Sequence, residues 1–373
     1  MDYIKALNID INQLDEKKQQ QTSYKIKYVK EYIIGWLQVS VNRENIKYIN
    51  FIDCMCNAGI YKDNDLGTSM EVLQIFIDSA SKFTSKEFHI YLNDYDKKRI
   101  EIIKTLSTYF LDNKITTNLK IHYNCEYADA YIQSFTIFNE TLLSNASTVL
   151  FVDPYNFQSI KLLSIKSFLE HYYCELYYNI FTSDYIRNKN NSNSFYEILN
   201  TTEELETVDD MIEYIRQFLK TEKMKYSFSY GFRNCKNVEI YQILFVTPNI
   251  RGLEKLKEAI IKVFKGVEYY RNQAKKEECQ QSLFIEDDDE KNFERNILNY
   301  CGKEIQNKLC NNFQCKTIDY PDIEIFILEN SPLSDSKIIE YVLKPLISNG
   351  KIRKCNKTKN HNNYKDDSYI FIG

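Results

Sequence analysis

Between residues 48 and 180 the chain alternates between two hydrophobic periods, and that alternation limits the folds open to it. "KYINFID", "EFHIYLND", "NLKIHYN", "STVLFVD" and "CELYYNIF" are short runs rich in β-branched and aromatic residues, and they read as strands. "TSMEVLQIFIDSASKF", residues 96–110, "ADAYIQSFTIFNETLL" and "SIKLLSIKSFLEHY" separate them, each with apolar residues at helical spacing. Thr68 or Ser69 is the expected cap of the first helix. Strands joined by helix-length crossovers run parallel, so this order predicts a doubly wound α/β sheet.

Two further strand-like runs, "KYSFSYGF" and "VEIYQILFVTP", are separated only by "RNCKN" and predict a hairpin. A parallel sheet that ends in an antiparallel hairpin is the Rossmann-like layout of class I methyltransferases. Residues 12–40 predict a preceding helix, with Tyr24, Tyr28, Tyr32 and Trp36 on its core-facing stripe. Residues 184–222 are polar, Asn-rich and largely helical and read as an insertion, and 251–265 as another helix. "EECQQSLFIEDDDE" holds seven acids and no base, the mark of an exposed linker. Beyond it, helix, turn, helix and a basic hairpin predict a winged helix-turn-helix, with Ser334 as an N-cap and Gly350 closing a helix. The expected organisation is an α/β domain over 1–270, an acidic linker over 271–290 and a winged helix over 291–373.

The net charge of −4 gives no overall nucleic-acid signature, which leaves local basic patches to consider. Ten cysteines without a CxxC pair, and only four histidines, argue against a zinc site, and free thiols suit a reducing compartment. No apolar run reaches the roughly 18 residues that span a bilayer, and the first 22 residues lack a signal-peptide core. The expectation is a cytoplasmic protein without a membrane or metal; its oligomeric state is not legible.

The site candidates sit at strand ends, where doubly wound sheets bind ligands. After Asp53 come Cys54, Asn57 and Gly59, then a helix start that could aim backbone N–H groups at a carboxylate, as in S-adenosylmethionine (SAM). A bland turn accounts for this loop equally well. Asp94, in "YLNDYD", stands where such folds hold the hydroxyls of a ribose, with Asp96 capping the next helix. Asp129, after the third strand, could accept from an adenine amine or simply cap a helix. "VLFVDPYN" ends in Asp153, Pro154 and Tyr155, close to the Asp/Asn/Ser-Pro-Pro-aromatic motif with which amino-methyltransferases position a target amine. The other reading is a strand end with a proline turn. Lys351, Arg353, Lys354, Lys357 and Lys359 could contact phosphates or form a solvated hairpin.

In this order the pieces resemble the three-Cys-motif partner protein (TcmP) family. "YKIKYVKEYIIGWLQ" is similar to its Lys-Leu-x-x-Leu-x-x-Tyr helix, and "FIDCMCNAGIYKDNDLGTSM" to its Asp-Leu-Phe-Ala-Gly-Pro-Gly-x-Tyr segment. "YLNDYD", "LFVDPYN", "YNIFTSDYIRN" and "YQILFVTPNIRGLEKLKEAI" resemble its later segments, and the C-terminal region its winged helix. The family's Phe-Ala-Gly-Pro-Gly is Met55-Cys56-Asn57-Ala58-Gly59 here, so Asn57 stands for one glycine. The resemblance implies a SAM-dependent methyltransferase-like protein and a radical-SAM-like partner with three cysteines. It gives Asp53, Gly59, Asp94, Asp129 and Asp153 cofactor or active-site roles. The expected activity is methylation of an exocyclic amine on a nucleic-acid base, in a phage, mobile-element or defence setting. The alternative is a binding module that kept the fold, lost turnover and serves a partner protein.

Overall fold

The computed structural model describes residues 2–16, 20–112, 117–138, 145–183, 187, 193–233, 239–264, 287–355 and 364–372. The chain forms two compact units, Met1–Phe232 with Val238–Asn249, and Arg233–Asn237 with Ile250–Gly373.

In the first unit a short helix α1 (Tyr3–Ala6) and the long α2 (Gln20–Val41) precede the sheet. The sheet and its crossovers then follow as β1 (Tyr48–Asp53), α3 (Thr68–Lys82), β2 (Glu87–Asn93), α4 (Lys97–Leu111), β3 (Leu119–Asn124), α5 (Ala128–Phe138), β4 (Ala146–Val152), α6 (Leu162–His171) and β5 (Cys174–Ile180). After α7 (Asn193–Leu199) and α8 (Val208–Leu219), β6 (Tyr226–Arg233) and β7 (Glu239–Thr247) complete it.

The strand order is β3-β2-β1-β4-β5-β7-β6. The first five strands pair in parallel, and β7 runs antiparallel to β5. Order and register together make this a Rossmann-like class I methyltransferase sheet. β6 lies beside β7, as a hairpin expects, and its connection at 234–238 falls outside the described residues. Asp53 pairs with Leu92 on one side and Phe151 on the other, so the ends of β1, β2 and β4 share one edge where the strand order reverses. That switch point is where open α/β sheets leave a crevice.

Alternation along each strand sends successive side chains to opposite faces. Phe51 meets Phe76 of α3, while Tyr177 and Phe245 meet Tyr28 and Tyr32 of α2. The predicted stripe is therefore core: Tyr28, Tyr32 and Trp36 are buried and Tyr24 half-buried. On the opposite face Ile52, Leu150, Val152, Leu176 and Tyr178 pack with buried residues of α5, α6 and α8. The polar 184–222 stretch contributes Leu199, Met211, Ile215 and Leu219 to this same core, so its helices cover the sheet. α8 reads as polar in composition, yet its apolar residues fall on one face, and a Thr207–Asp210 capping box starts it.

The second unit holds α9 (Ile250–Phe264), α10 (Asp287–Phe313), β8 (Thr317–Asp319), α11 (Tyr320–Asn330), a helix α12 (335–348), β9 (Ile352–Lys354) and β10 (Ser368–Phe371). The strands form an antiparallel sheet in the order β8-β10-β9. The last four residues of the acidic stretch open α10, and 265–286 lie outside the described residues. Ser334 is the N-cap of α12, and Gly350 follows that helix at φ +66°, as expected. Pro345 has no N–H to offer the Tyr341 carbonyl one turn back, and α12 loosens to a π-turn over Ile339–Leu343. Gln306 Nε2 of α10 donates to that carbonyl at 2.7 Å. Gly302 permits the approach, because a Cβ there would lie 2.5 Å from the same oxygen. Among the described residues no helix is long and apolar enough to cross a membrane.

Candidate functional site

The loop after β1 is held by its own polar groups. Asp53 accepts from the Met55 N–H at 3.1 Å and from the Ser69 hydroxyl. Ser69 therefore sits inside α3 and serves Asp53; the N-cap is Gly67, which makes no side-chain bond. This corrects the cap expected at Thr68 or Ser69. Asn57 takes φ +58°, and its side-chain oxygen accepts from the Ala58 N–H at 2.7 Å. Asn stabilises the left-handed conformation with such local bonds, which is how it replaces a glycine. Gly59 has no such substitute. Its φ is +73°, and a Cβ would lie 2.8 Å from Met70 Cγ. The Gly67 N–H donates to the Gly59 carbonyl at 2.8 Å and closes the loop.

Three carboxylates meet around this loop. Burial pushes Asp53 up to about 7, the charges of Asp153 and Asp94 add to the rise, and its hydrogen bonds oppose it. Asp94 is fully buried just past β2, and that burial raises its pKa. Its Oδ1 accepts from the Asp96 N–H at 2.9 Å; its Oδ2 accepts from the Asn57 N–H at 3.1 Å and the Tyr155 hydroxyl at 3.0 Å. Asp96 caps α4 as expected, accepting from the Lys98 N–H at 2.9 Å. Asp153 accepts from Asn179 Nδ2 at 2.7 Å, and Lys25 Nζ stands 2.5 Å from its other oxygen. Arg99 of α4 contacts the Tyr155 hydroxyl, lies 4.8 Å from that ring's centroid and donates to Asp15 at 3.1 Å.

Two cavities open along this edge. One, of about 350 Å³, lies between the Asp53–Gly59 loop, Ser69, Lys25, Asp153 and Phe181. The other, of about 340 Å³, is lined by Tyr95, Glu126, Tyr127 and Asn156. Met55 and Tyr155 border both. The rings of Tyr95 and Tyr127 are parallel to within 3° at 6.2 Å, and Tyr155 stands at 87° to Tyr95.

Asp53, Asn57, Gly59, Asp153, Pro154 and Tyr155 thus line one cavity; Asp94 lines neither cavity and touches this one through the Asn57 N–H and the Tyr155 hydroxyl. Cys54 is packed in the hydrophobic core, and burial drives its thiol pKa upward. Asp129 lines neither cavity; it accepts from the Lys161 N–H at 2.8 Å. In the second unit Lys351 and Arg353 are exposed, while Lys354 lies 3.6 Å from the buried Asp367 and 4.9 Å from the Tyr364 ring. Lys357 and Lys359 fall outside the described residues. Among the described residues no three His, Cys, Asp or Glu side chains are placed to share a metal ion.

Sequence reading missed Asp15, Lys25, Arg99 and Asn179. Lys25 left a trace: it precedes Tyr28 and Tyr32 by three and seven residues, on the buried face of α2, where a lysine needs an acid partner.

No known family model matches the chain, and no curated protein matches it in sequence. Among solved structures, a Legionella pneumophila protein is 10% identical with a TM-score of 0.40, covering 64% of this chain and 92% of its own. Spermidine synthase from Thermotoga maritima is 13% identical with a TM-score of 0.34, covering 68% and 70%. Loganic acid methyltransferase, solved with S-adenosylhomocysteine, is 10% identical with a TM-score of 0.30, covering 67% and 85%. Likeness this faint decides nothing about activity, and strand order and register carry the fold.

Proposed function

We propose that this protein is a SAM-dependent methyltransferase acting on an exocyclic amine of a nucleic-acid base. The observation that carries the reading is the pair of cavities that meet at Tyr155, whose hydroxyl bonds the buried Asp94, at the switch point of a methyltransferase-type sheet. The donor set suits the cofactor. The loop from Asp53 to Gly59 would take the methionine end, with Asp53, one of the acids that line this cavity, facing its ammonium. Asp94 would take the ribose. The parallel rings of Tyr95 and Tyr127, with Glu126 beside them, would take the adenine. SAM would supply a methyl group on a sulfonium. Asp153 and the Pro154 carbonyl would orient the accepting amine, and Tyr155 would border it. The second unit, read as a winged helix, would hold the polynucleotide through Lys351 and Arg353. A base within a duplex would have to be flipped out. A three-Cys-motif radical-SAM-like protein and a role in anti-phage defence belong to the same proposal, on the TcmP resemblance alone.

One observation favours a second reading. Both oxygens of Asp153 are engaged, by Lys25 and Asn179, which leaves less room for an amine to donate. A SAM-binding adaptor or sensor without turnover would tolerate that arrangement.

Calorimetric titration of SAM and S-adenosylhomocysteine into the protein and its Asp94→Ala variant tests the cofactor. Micromolar binding that the variant loses supports it; no binding to the folded protein overturns it. Transfer of labelled methyl from SAM to DNA or RNA, with and without the three-Cys-motif protein, separates the enzyme from the adaptor.

A further inference from the structure

We infer that Tyr155 is a latch on the nucleoside site, its hydroxyl standing in for a ribose hydroxyl on Asp94 and its ring dividing one groove into two cavities. The inference rests on the cofactor reading above.

Asp94 is fully buried, and a buried carboxylate without donors is heavily penalised. Two of its bonds come from backbone N–H groups, of Asn57 and Asp96, and these belong to the fold. The third comes from Tyr155, the one side-chain hydroxyl on this acid among the described residues, and Arg99 Nη1 lies 3.9 Å from the same oxygen. Tyr155 belongs to the loop that follows β4, outside any strand or α-helix, and 38% of its surface is exposed. It is the partner best placed to leave. A ribose hydroxyl arriving at Asp94 would replace the phenol donor for donor, so the carboxylate need never stand unpaired.

Arg99 holds the latch shut. It touches the hydroxyl, lies against the ring, and is itself fixed by Asp15. Because Tyr155 borders both cavities, its withdrawal would join spaces of about 350 and 340 Å³ into one groove. A ligand confined to the first cavity, such as a free amino acid, leaves the latch in place. A nucleoside linked to an amino acid must move it. Tyr155 is therefore a positioning and selecting residue whose effect falls on nucleoside binding.

The test is titration of S-adenosylhomocysteine and adenosine into the wild-type protein and Tyr155→Phe, with thermal melting of both proteins to establish folding. Removing the hydroxyl frees the Asp94 position at no loss of ring packing. The expected result is binding about tenfold tighter to the variant for both ligands, equivalent to about 1.4 kcal/mol. Binding to the wild type with equal or weaker binding to the variant overturns the latch and leaves the cofactor reading standing. No binding of either ligand to either folded protein overturns the cofactor reading, and the latch with it.

Discussion

Lys25 Nζ lies 2.5 Å from Asp153 Oδ2, and the two residues are 128 positions apart in the chain. The pair ties α2 to the end of β4, with side-chain exposures of 10% and 22%. Lys25→Met would leave the partly buried Asp153 short of its cation. The expected loss is about 1–2 kcal/mol of unfolding free energy, between the values for an exposed and a fully buried pair. Adding Asp153→Asn should recover more than half of it, because a neutral amide needs no counter-charge. Urea denaturation of the two single variants and the double variant measures this coupling.

Asp53 makes stability depend on pH. Its carboxyl is raised from 3.8 to about 7 in the folded protein, so the native state binds a proton that the unfolded chain has released. Stability therefore falls as pH rises from about 4 to about 7, by on the order of 4 kcal/mol from this group. Asp53→Asn keeps an acceptor for the Met55 N–H and a donor for Ser69, and it does not titrate. The expected result is that the stability of the variant relative to wild type improves steadily from pH 4 to pH 8. Chemical denaturation at several pH values checks the sign, and a flat difference would remove Asp53 as the titrating group.

The Tyr341 carbonyl predicts two separable losses in the second unit. Gly302→Ala places a methyl against that oxygen and should destabilise by about 2–3 kcal/mol through overpacking. Gln306→Leu removes the donor that Pro345 cannot replace, and should lose about 1–2 kcal/mol. Neither change should alter S-adenosylhomocysteine binding, and differential scanning calorimetry beside titration records both quantities.

The basic hairpin divides on the same logic. Lys354 is turned to Asp367 and Tyr364, so Lys354→Ala should lower stability. Lys351 and Arg353 are exposed, so Lys351→Glu with Arg353→Glu should leave stability nearly unchanged. On the proposed function, that double change should lower the slope of log affinity for DNA or RNA against log salt by about 2. Fluorescence anisotropy across a salt series gives the slope.

The strands and the parallel, doubly wound class of the sheet were legible because each strand is a short apolar run between amphipathic helices. Asp53, Asp94 and Asp153 could be placed because a strand end is a local feature. Their partners could not. Nothing near Asp153 in sequence announces Lys25 or Asn179, and although Arg99 follows Asp94 by five residues, nothing there announces its distant partners Tyr155 and Asp15. Asp129 shows the converse: the residue type fits the role, yet a backbone N–H two elements later claims its carboxylate. The helices of the 184–222 stretch were legible, but not their role in the core, since its Asn and acidic residues mask a face that presents Leu199, Met211 and Ile215.

Four of the contacts at the site join residues separated by 37 to 128 positions: Asn57 with Asp94, Tyr155 with Asp94, Arg99 with Asp15, and Lys25 with Asp153. No stretch of chain can form it early or alone. Closing such loops draws on the entropy of nearly the whole first unit, so the site should assemble together with the sheet and vanish with it. A molecule that binds there acts as a brace for the entire unit, raising its melting point with the logarithm of ligand concentration. Thermal shift is then a direct way to search for what the groove accepts, whichever ligand that proves to be.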